Sequence, residues 1–187
     1  MEKTKFRFFY TSSGKLVEYG KSAEQNEKLV ASLLKEGKTE IVLHTKAPGS
    51  PFCVIRGKAN AKDIRETAVV CASFSQQWKQ GKKKAEVHIF KTEQIAKEKR
   101  SAVGSFTVLG KSQKISVELE LWLGVQKGEL RAAPKSCFEK TFVKLVPGKM
   151  SKDKAVAEIK KKLEEEGLDI KEDEIASAIP AGGFKLC

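Results

Sequence analysis

The chain has 187 residues, enough to bury a sizeable core without a disulfide or a structural metal. Its 36 Lys+Arg against 24 Asp+Glu give a net charge of +12, an excess that points to a polyanionic partner, nucleic acid first and an anionic membrane surface second. No apolar run approaches the ~20 residues of a membrane span and the start MEKTKFRFF has no signal-peptide pattern, so the expectation is a soluble, cytoplasmic protein with no membrane partner.

In chain order, Phe6, Phe8 and Tyr10 alternate with Arg7 and Phe9 as in a strand, and TSSG turns the chain back into Lys15 to Tyr19, a hairpin. Ser22-x-x-Gln25 fits a capping box ahead of a helix carrying Leu29, Val30, Leu33 and Leu34, which Gly37 ends. Thr39 to Thr45 and Phe52 to Arg56 read as strands separated by the Pro/Gly-rich segment Lys46 to Pro51. Asn60 is placed to cap a helix whose Ile64, Ala68, Cys71, Ser75 and Trp78 recur at steps of three and four, ending at Gln80-Gly81. Strand Glu86 to Phe90 follows the run Lys82, Lys83, Lys84. Lys91 to Val103 reads as a surface loop with one helical turn at Glu93 to Ala96.

Gly104 to Gly110 and Lys114 to Leu123 are expected strands, the second by its alternation of Ile115, Val117, Leu119, Leu121 and Leu123. Glu129 to Ala133 and Thr141 to Val146 are short strands, and Pro147-Gly148 reads as a boundary. Ser151 caps a helix with Val156, Ile159 and Leu163 inward that stops at Gly167; a short helix, Lys171 to Ile179, and the segment IPAGGFKL close the chain. The expected fold is α+β (mixed α/β): a central sheet of short strands, two to three packing helices and a C-terminal helical flank, in one domain over 1–187.

The chemistry-bearing signatures are few. There is no G-x-x-x-x-G-K-[ST], G-x-G-x-x-G, G-x-S-x-G or H-E-x-x-H. Cys53, Cys71, Cys137 and Cys187 form no C-x-x-C pair or Cys/His cluster, and only Asp63 among the acids before Asp153 is an aspartate, which argues against a metal site and a two-metal nuclease. No cofactor, no metal and no catalytic residue is expected. Two readings of His44 stay open: a strand-end histidine hydrogen-bonded to backbone, and a general base beside a Pro/Gly-rich loop.

What the chain offers instead is cationic residues at element ends and loops, where long side chains reach phosphates without burial: Arg7, Lys21, Lys46, Arg56, Lys79, Lys82, Lys83, Lys84, Lys97, Lys99, Arg100 and Lys111. Tyr10 and Phe52 are candidate stacking partners, and Gln25 and Asn26 candidate amide contacts. Each has a structural alternative: capping for Gln25, core packing for the aromatics and for Trp78, a solvated turn for the lysine run.

These residues fall in motifs that are similar to a known family. KFRFFYTSSGKLVEYGKSAEQNEKLV, then IVLHTKAPGSPFCVI, ETAVVCASFSQQWKQGKKKAEVHIF and VGSFTVLGK, resemble the NFACT-R domain, the RNA-binding domain of the NFACT proteins. The motif-bearing part is 1–112; 113–187 resembles the rest of the domain less specifically. The resemblance implies RNA binding, to tRNA or ribosomal RNA, with the large ribosomal subunit as an implied partner in translation or ribosome quality control. By residue it points to Gln25, Asn26, His44, the loop Pro48 to Pro51 with Ser50, Trp78 and the basic residues after it. Phe8 stands where the family usually has Trp, and Lys21 where it usually has Arg. The N-terminal domain, helix-hairpin-helix and coiled coil of the full-length factors are not seen, so a stand-alone module is expected and tailing activity is not carried over. The alternatives are an RNA-processing or RNA-modifying enzyme using His44, and a protein adapter on the ribosome.

Overall fold

The computed structural model describes residues 6–187; residues 1–5 of the motif-bearing part, including Lys5 at the start of the first matching motif, lie outside them. The element order is β1 (Arg7–Tyr10), β2 (Leu16–Tyr19), α1 (Ala23–Glu36), β3 (Ile41–Thr45), β4 (Cys53–Ile55), α2 (Ala61–Ser73), α3 (Gln76–Lys79), β5 (Lys84–Lys91), β6 (Ile95–Ala96), β7 (Thr107–Val108), β8 (Gln113–Glu118), β9 (Leu121–Gln126), β10 (Glu129–Ala133), β11 (Thr141–Met150), α4 (Lys152–Glu165), α5 (Glu172–Ala178) and β12 (Phe184–Leu186). All strand pairings are antiparallel. One sheet runs β1-β2-β4-β3-β5-β8, a second runs β10-β9-β11-β12, and β6 and β7 form a short ribbon. The fold is α+β.

The central strands of the first sheet are apolar on both faces, because both faces are covered. Val42, Val54 and Phe90 stand opposite one another in register and pack with Leu29, Val30 and Leu33 of α1. The alternate residues Leu43, Cys53 and Ile89 face the other way, into the larger core shared by α2, the second sheet, α4 and α5.

The caps are built from side chains the sequence singles out. Asn60 and Asp63 form a full capping box on α2, and the Ser13 hydroxyl donates to Asp63 at 2.5 Å, tying the TSSG turn to that helix. On α1 the box is shifted: Ser22 Oγ accepts from the Gln25 N–H at 3.2 Å, but the Gln25 carboxamide accepts from Lys21 N–H at 2.9 Å rather than from Ser22. Gly37 ends α1 in the left-handed region at φ 66°.

Five expectations change. The helix through Trp78 breaks at Phe74, and Ser75 recaps the short α3; the apolar face continues across the break, so periodicity did not mark it. Lys114 to Leu123 is two strands: the chain crosses from the first sheet to the second at Leu119-Glu120 while its alternation persists, with Leu119 and Leu121 both buried. Glu93 to Ala96 is a 3-10 turn, Thr92–Gln94, followed by β6, and only Thr107–Val108 of Gly104 to Gly110 is strand. Pro147-Gly148 is no boundary: β11 runs through it with a register shift between Pro147 and Met150, the bulge geometry that tolerates proline in a sheet. Residues 121–187 are therefore a second sheet with two helices as much as a helical flank, while β8 at 113–118 belongs to the first sheet. Gln126 joins the two sheets, its carboxamide accepting from Tyr10 N–H at 2.9 Å and donating to Tyr10 C=O at 2.8 Å in place of a strand neighbour.

Candidate nucleic-acid interface

Where α1, the β3–β4 loop, α3 and the 103–108 segment meet, they enclose a cleft of about 680 Å3. The β3–β4 loop is fixed by its own small polar groups. Ser50 Oγ accepts from Thr45 N–H at 3.0 Å and donates to Pro51 C=O at 3.2 Å, Thr45 Oγ1 donates to Ala47 C=O at 2.6 Å, and Gly49 C=O accepts from Gln76 N–H at 2.9 Å. Gly49 sits at φ 89°, and a Cβ there would stand 2.3 Å from Gln76 Cγ, so the close contact with α3 requires glycine. Asn26 Oδ1 accepts from Phe52 N–H at 3.2 Å, which holds α1 to the start of β4.

The cleft brings together Arg7, Lys21, Asn26, His44, Lys46, Ser50 and Lys79 from the sequence candidates, and adds Gln76, His88, Phe106 and Lys152. Asn26 and Ser50 are buried and act in the wall, and the Gln25 carboxamide is engaged at the shifted cap. Phe52 is also buried: the His44 ring lies 4.6 Å from it, tilted by 36°, and Phe106 meets it edge-on at 5.4 Å. His44 and Phe106, both half-buried, thus flank the buried Phe52 ring in the cleft. Trp78 belongs to the core, donating Nε1–H to Gly183 C=O at 2.9 Å.

Several cations expected at the interface stand elsewhere. Arg56 is at the opposite end of β4 from Phe52, where Nε donates to Glu18 at 2.7 Å and the guanidinium also reaches Glu36 at 3.2 Å. Lys97 is engaged in holding its own loop: Nζ donates to Glu27 at 2.9 Å and to the Ala102 and Ser105 carbonyls at 2.9 and 3.1 Å, over the Phe106 ring. That bond, with a second from Gly104 N–H, holds the Glu27 carboxyl below its ordinary range. Lys99, Arg100 and Lys111 are exposed and do not line the cleft. Lys82 and Lys83 sit on the turn after α3, just beyond the lining residue Lys79, and Lys84 faces a second groove with Arg65, Trp122 and Lys135.

His44 Nδ1 lies 2.7 Å from the Thr45 carbonyl, an acceptor only, so Nδ1 carries the proton and Nε2 is left as an acceptor. Burial lowers the His44 pKa below its ordinary value of 6.5, helped by the charge of His88, its register partner on β5. The bond to Thr45 opposes this and Glu86 sits 3.3 Å from His88. Because the folded value is the lower one, the unfolded chain takes the proton first on acidification. Stability is therefore full above pH 6.5, falls as the pH drops through the folded value, and levels below it. Urea midpoints between pH 7.5 and 5 are expected to fall more for the native protein than for H44Q.

His88 and Lys152 escaped sequence reading because His88 reaches the site through a pairing across more than forty residues, and Lys152 through the packing of α4 on β11 and β12, far along the chain from the other lining residues. Among the described residues no group of three or more His, Cys, Asp or Glu could hold a metal, and no helix is long and apolar enough to cross a membrane.

No curated protein matches the chain. Among solved structures, the C-terminal part of the fibronectin/fibrinogen-binding protein from Streptococcus suis shares the fold, with 19% identity and a TM-score of 0.54 over 63% of this chain and 46% of that one, so the chain spans under half its length. The family model described as the NFACT protein RNA binding domain matches residues 5–110. That segment carries every lining residue of the cleft except Lys152 and Ala181, and the chain belongs to that family.

Proposed function

We propose that the cleft is the RNA site of a non-enzymatic binding module that contacts tRNA or ribosomal RNA in translation or ribosome-associated quality control, in the cytoplasm and without a cofactor. One observation carries this reading: Arg7, Lys21, Lys46, Lys79 and Lys152 line the cleft and, among the described residues, no Asp or Glu does. In a chain with 24 acidic residues that separation of charge focuses a positive potential where a phosphate backbone would lie. His44 supports a binding role over a catalytic one, because its Nδ1 is held by main chain and, among the described residues, no carboxylate in the cleft orients it as a base. Lys82 and Lys83, on the turn beside Lys79, and Lys84, at the start of β5, act as flanking attraction.

The test is binding of labelled tRNA and of single-stranded ribosomal RNA fragments across a range of salt, with the RNA recovered and sized. The expected result is intact RNA and an affinity that falls linearly in log–log form with salt. K82E/K83E/K84E should lose only about 5-fold, as flanking charges do. Cleavage or a mass change abolished by H44A would replace this reading with the enzymatic one.

A further inference from the structure

Two of the five cations in the cleft are placed differently from the rest. Arg7 opens β1, and its guanidinium lies 4.9 Å from the centre of the Phe74 ring. Its Nε is buried with no hydrogen-bond partner. Lys152 is the first residue of α4, and its one hydrogen bond among the described residues is a long one, 3.4 Å, to the Ile179 carbonyl. Neither makes an ion pair among the described residues. Both line the same cleft, and the Arg7 charge, after burial, lowers the Lys152 pKa; among the described residues the carboxylate that opposes this is its sequence neighbour Asp153. Burial likewise lowers the Arg7 pKa.

Half-buried like charges with no carboxylate between them are unfavourable in the free protein. An anion between them would reverse the sign of that interaction. The guanidinium supplies a planar fork of N–H donors, stiffened by stacking on Phe74, and the ammonium supplies a compact charge; together they match the oxygens of a phosphate.

We propose that Arg7 and Lys152 form a phosphate subsite that grips a backbone phosphate of the RNA strand bound in the cleft, so that α4 completes the interface. This rests on the RNA reading of the cleft for the source of the phosphate. It has a structural consequence: Arg7 lies within the segment matched by the family model and Lys152 lies outside it, so the site requires the second sheet and α4 to be docked.

The decisive variant is K152M, with K152Q as a second neutral form and K152R to restore the charge. Thermal melting is measured with and without inorganic pyrophosphate, against potassium chloride of equal ionic strength, and RNA binding is measured against salt. Without ligand, K152M should melt about 2 °C higher, because a repulsion is removed. The pyrophosphate-induced rise seen in the native protein should be lost. RNA affinity should fall about 10-fold and the salt slope should shrink by about 1, with K152R close to native in both. A stability gain joined to an affinity loss is a pattern that a merely structural lysine would not give.

Native affinity and slope in K152M and K152Q overturn the subsite and leave RNA binding by the cleft standing. A pyrophosphate shift that persists undiminished in both variants overturns it as well. If the native protein binds no RNA yet its pyrophosphate shift depends on Lys152, the phosphate subsite stands and the RNA reading of the cleft fails.

Discussion

Reversing the charge at two lining positions, in the variant K46E/K79E, is expected to lower RNA affinity by about 100-fold near 100 mM salt, the loss of two charge-assisted phosphate contacts at about 1.5 kcal/mol each. The salt slope should shrink by about 2. Lys46 is the informative partner, because its side chain is 65% exposed and its one ion pair among the described residues, to Glu86 at 3.8 Å, is too long and too wet to matter for stability. Glu86 also faces His88 at 3.3 Å and Lys114 at 4.0 Å, so it keeps cationic neighbours when Lys46 is replaced. Lys79 is exposed at the end of α3 and makes no ion pair among the described residues. Both substitutions should leave the urea midpoint nearly unchanged, and the affinity change then reports binding alone.

The comparison with K82E/K83E/K84E decides between a site and a diffuse field. Three reversals remove more charge than two, so a protein held on RNA by its net charge would lose more affinity in the triple variant. A cleft that seats the strand predicts the opposite order. Filter binding or anisotropy at several salt concentrations settles it, and a triple variant weaker than the double would move the RNA onto the outer turn.

Signals that act over a few residues were legible without coordinates. Asn60 as a cap, Ser22 as a cap, Gly37 as a terminator and the apolar faces of α1 and α4 each follow from contacts within one or two turns. What failed were features in which local pattern and tertiary path part company. Leu119 and Leu121 keep the alternation of a single strand although the chain changes sheets between them. Pro147 and Gly148 look like punctuation, yet a bulge absorbs the proline, and the glycine admits the backbone of Phe184, which a Cβ would meet at 2.5 Å.

The same distinction applies to the site. A basic side chain at an element end is equally readable whether it faces a cleft, as Lys46 does, or an internal carboxylate, as Arg56 and Lys97 do. Those two acids, Glu18 and Glu27, sit 38 and 70 residues from the cations they hold, a separation that no motif spans. The resemblance pointed to the part of the chain around α1 and the β3–β4 loop that lines the cleft, but the polar residues it emphasised, Asn26 and Ser50, turn out to build the wall that the cations line.

Trp78→Ala is expected to be the most destabilising single substitution of those considered, at about 4 kcal/mol, a large share of the total stability of an ordinary domain. The side chain is 1% exposed, packs against Phe184 with ring centres 5.7 Å apart, and satisfies the Gly183 carbonyl through Nε1–H at 2.9 Å. Truncation both opens a cavity and takes from the Gly183 carbonyl its shorter hydrogen bond, leaving it only the Gly148 N–H at 3.3 Å. The effect should concentrate on β12, which Trp78 fastens to α3 from one side while β11 pairs with it from the other. Amide exchange at Cys187, whose N–H donates to Lys144 C=O at 3.0 Å, should quicken before exchange in β3 or β5 does. Trp78→Phe keeps most of the packing and loses the hydrogen bond, for a loss of about 1.5 kcal/mol. Lys79 is the next residue and Gly182 packs on it, a Cβ there standing 3.1 Å from Lys79 Cα, so loosening this junction should also weaken RNA binding a few-fold through the cleft wall. The order of effects separates the roles. A Trp78→Phe protein with a native urea midpoint and a large loss of RNA affinity would make Trp78 a direct RNA contact, whereas a shifted midpoint with a small affinity loss identifies it as the latch that holds the C-terminal strand against the cleft.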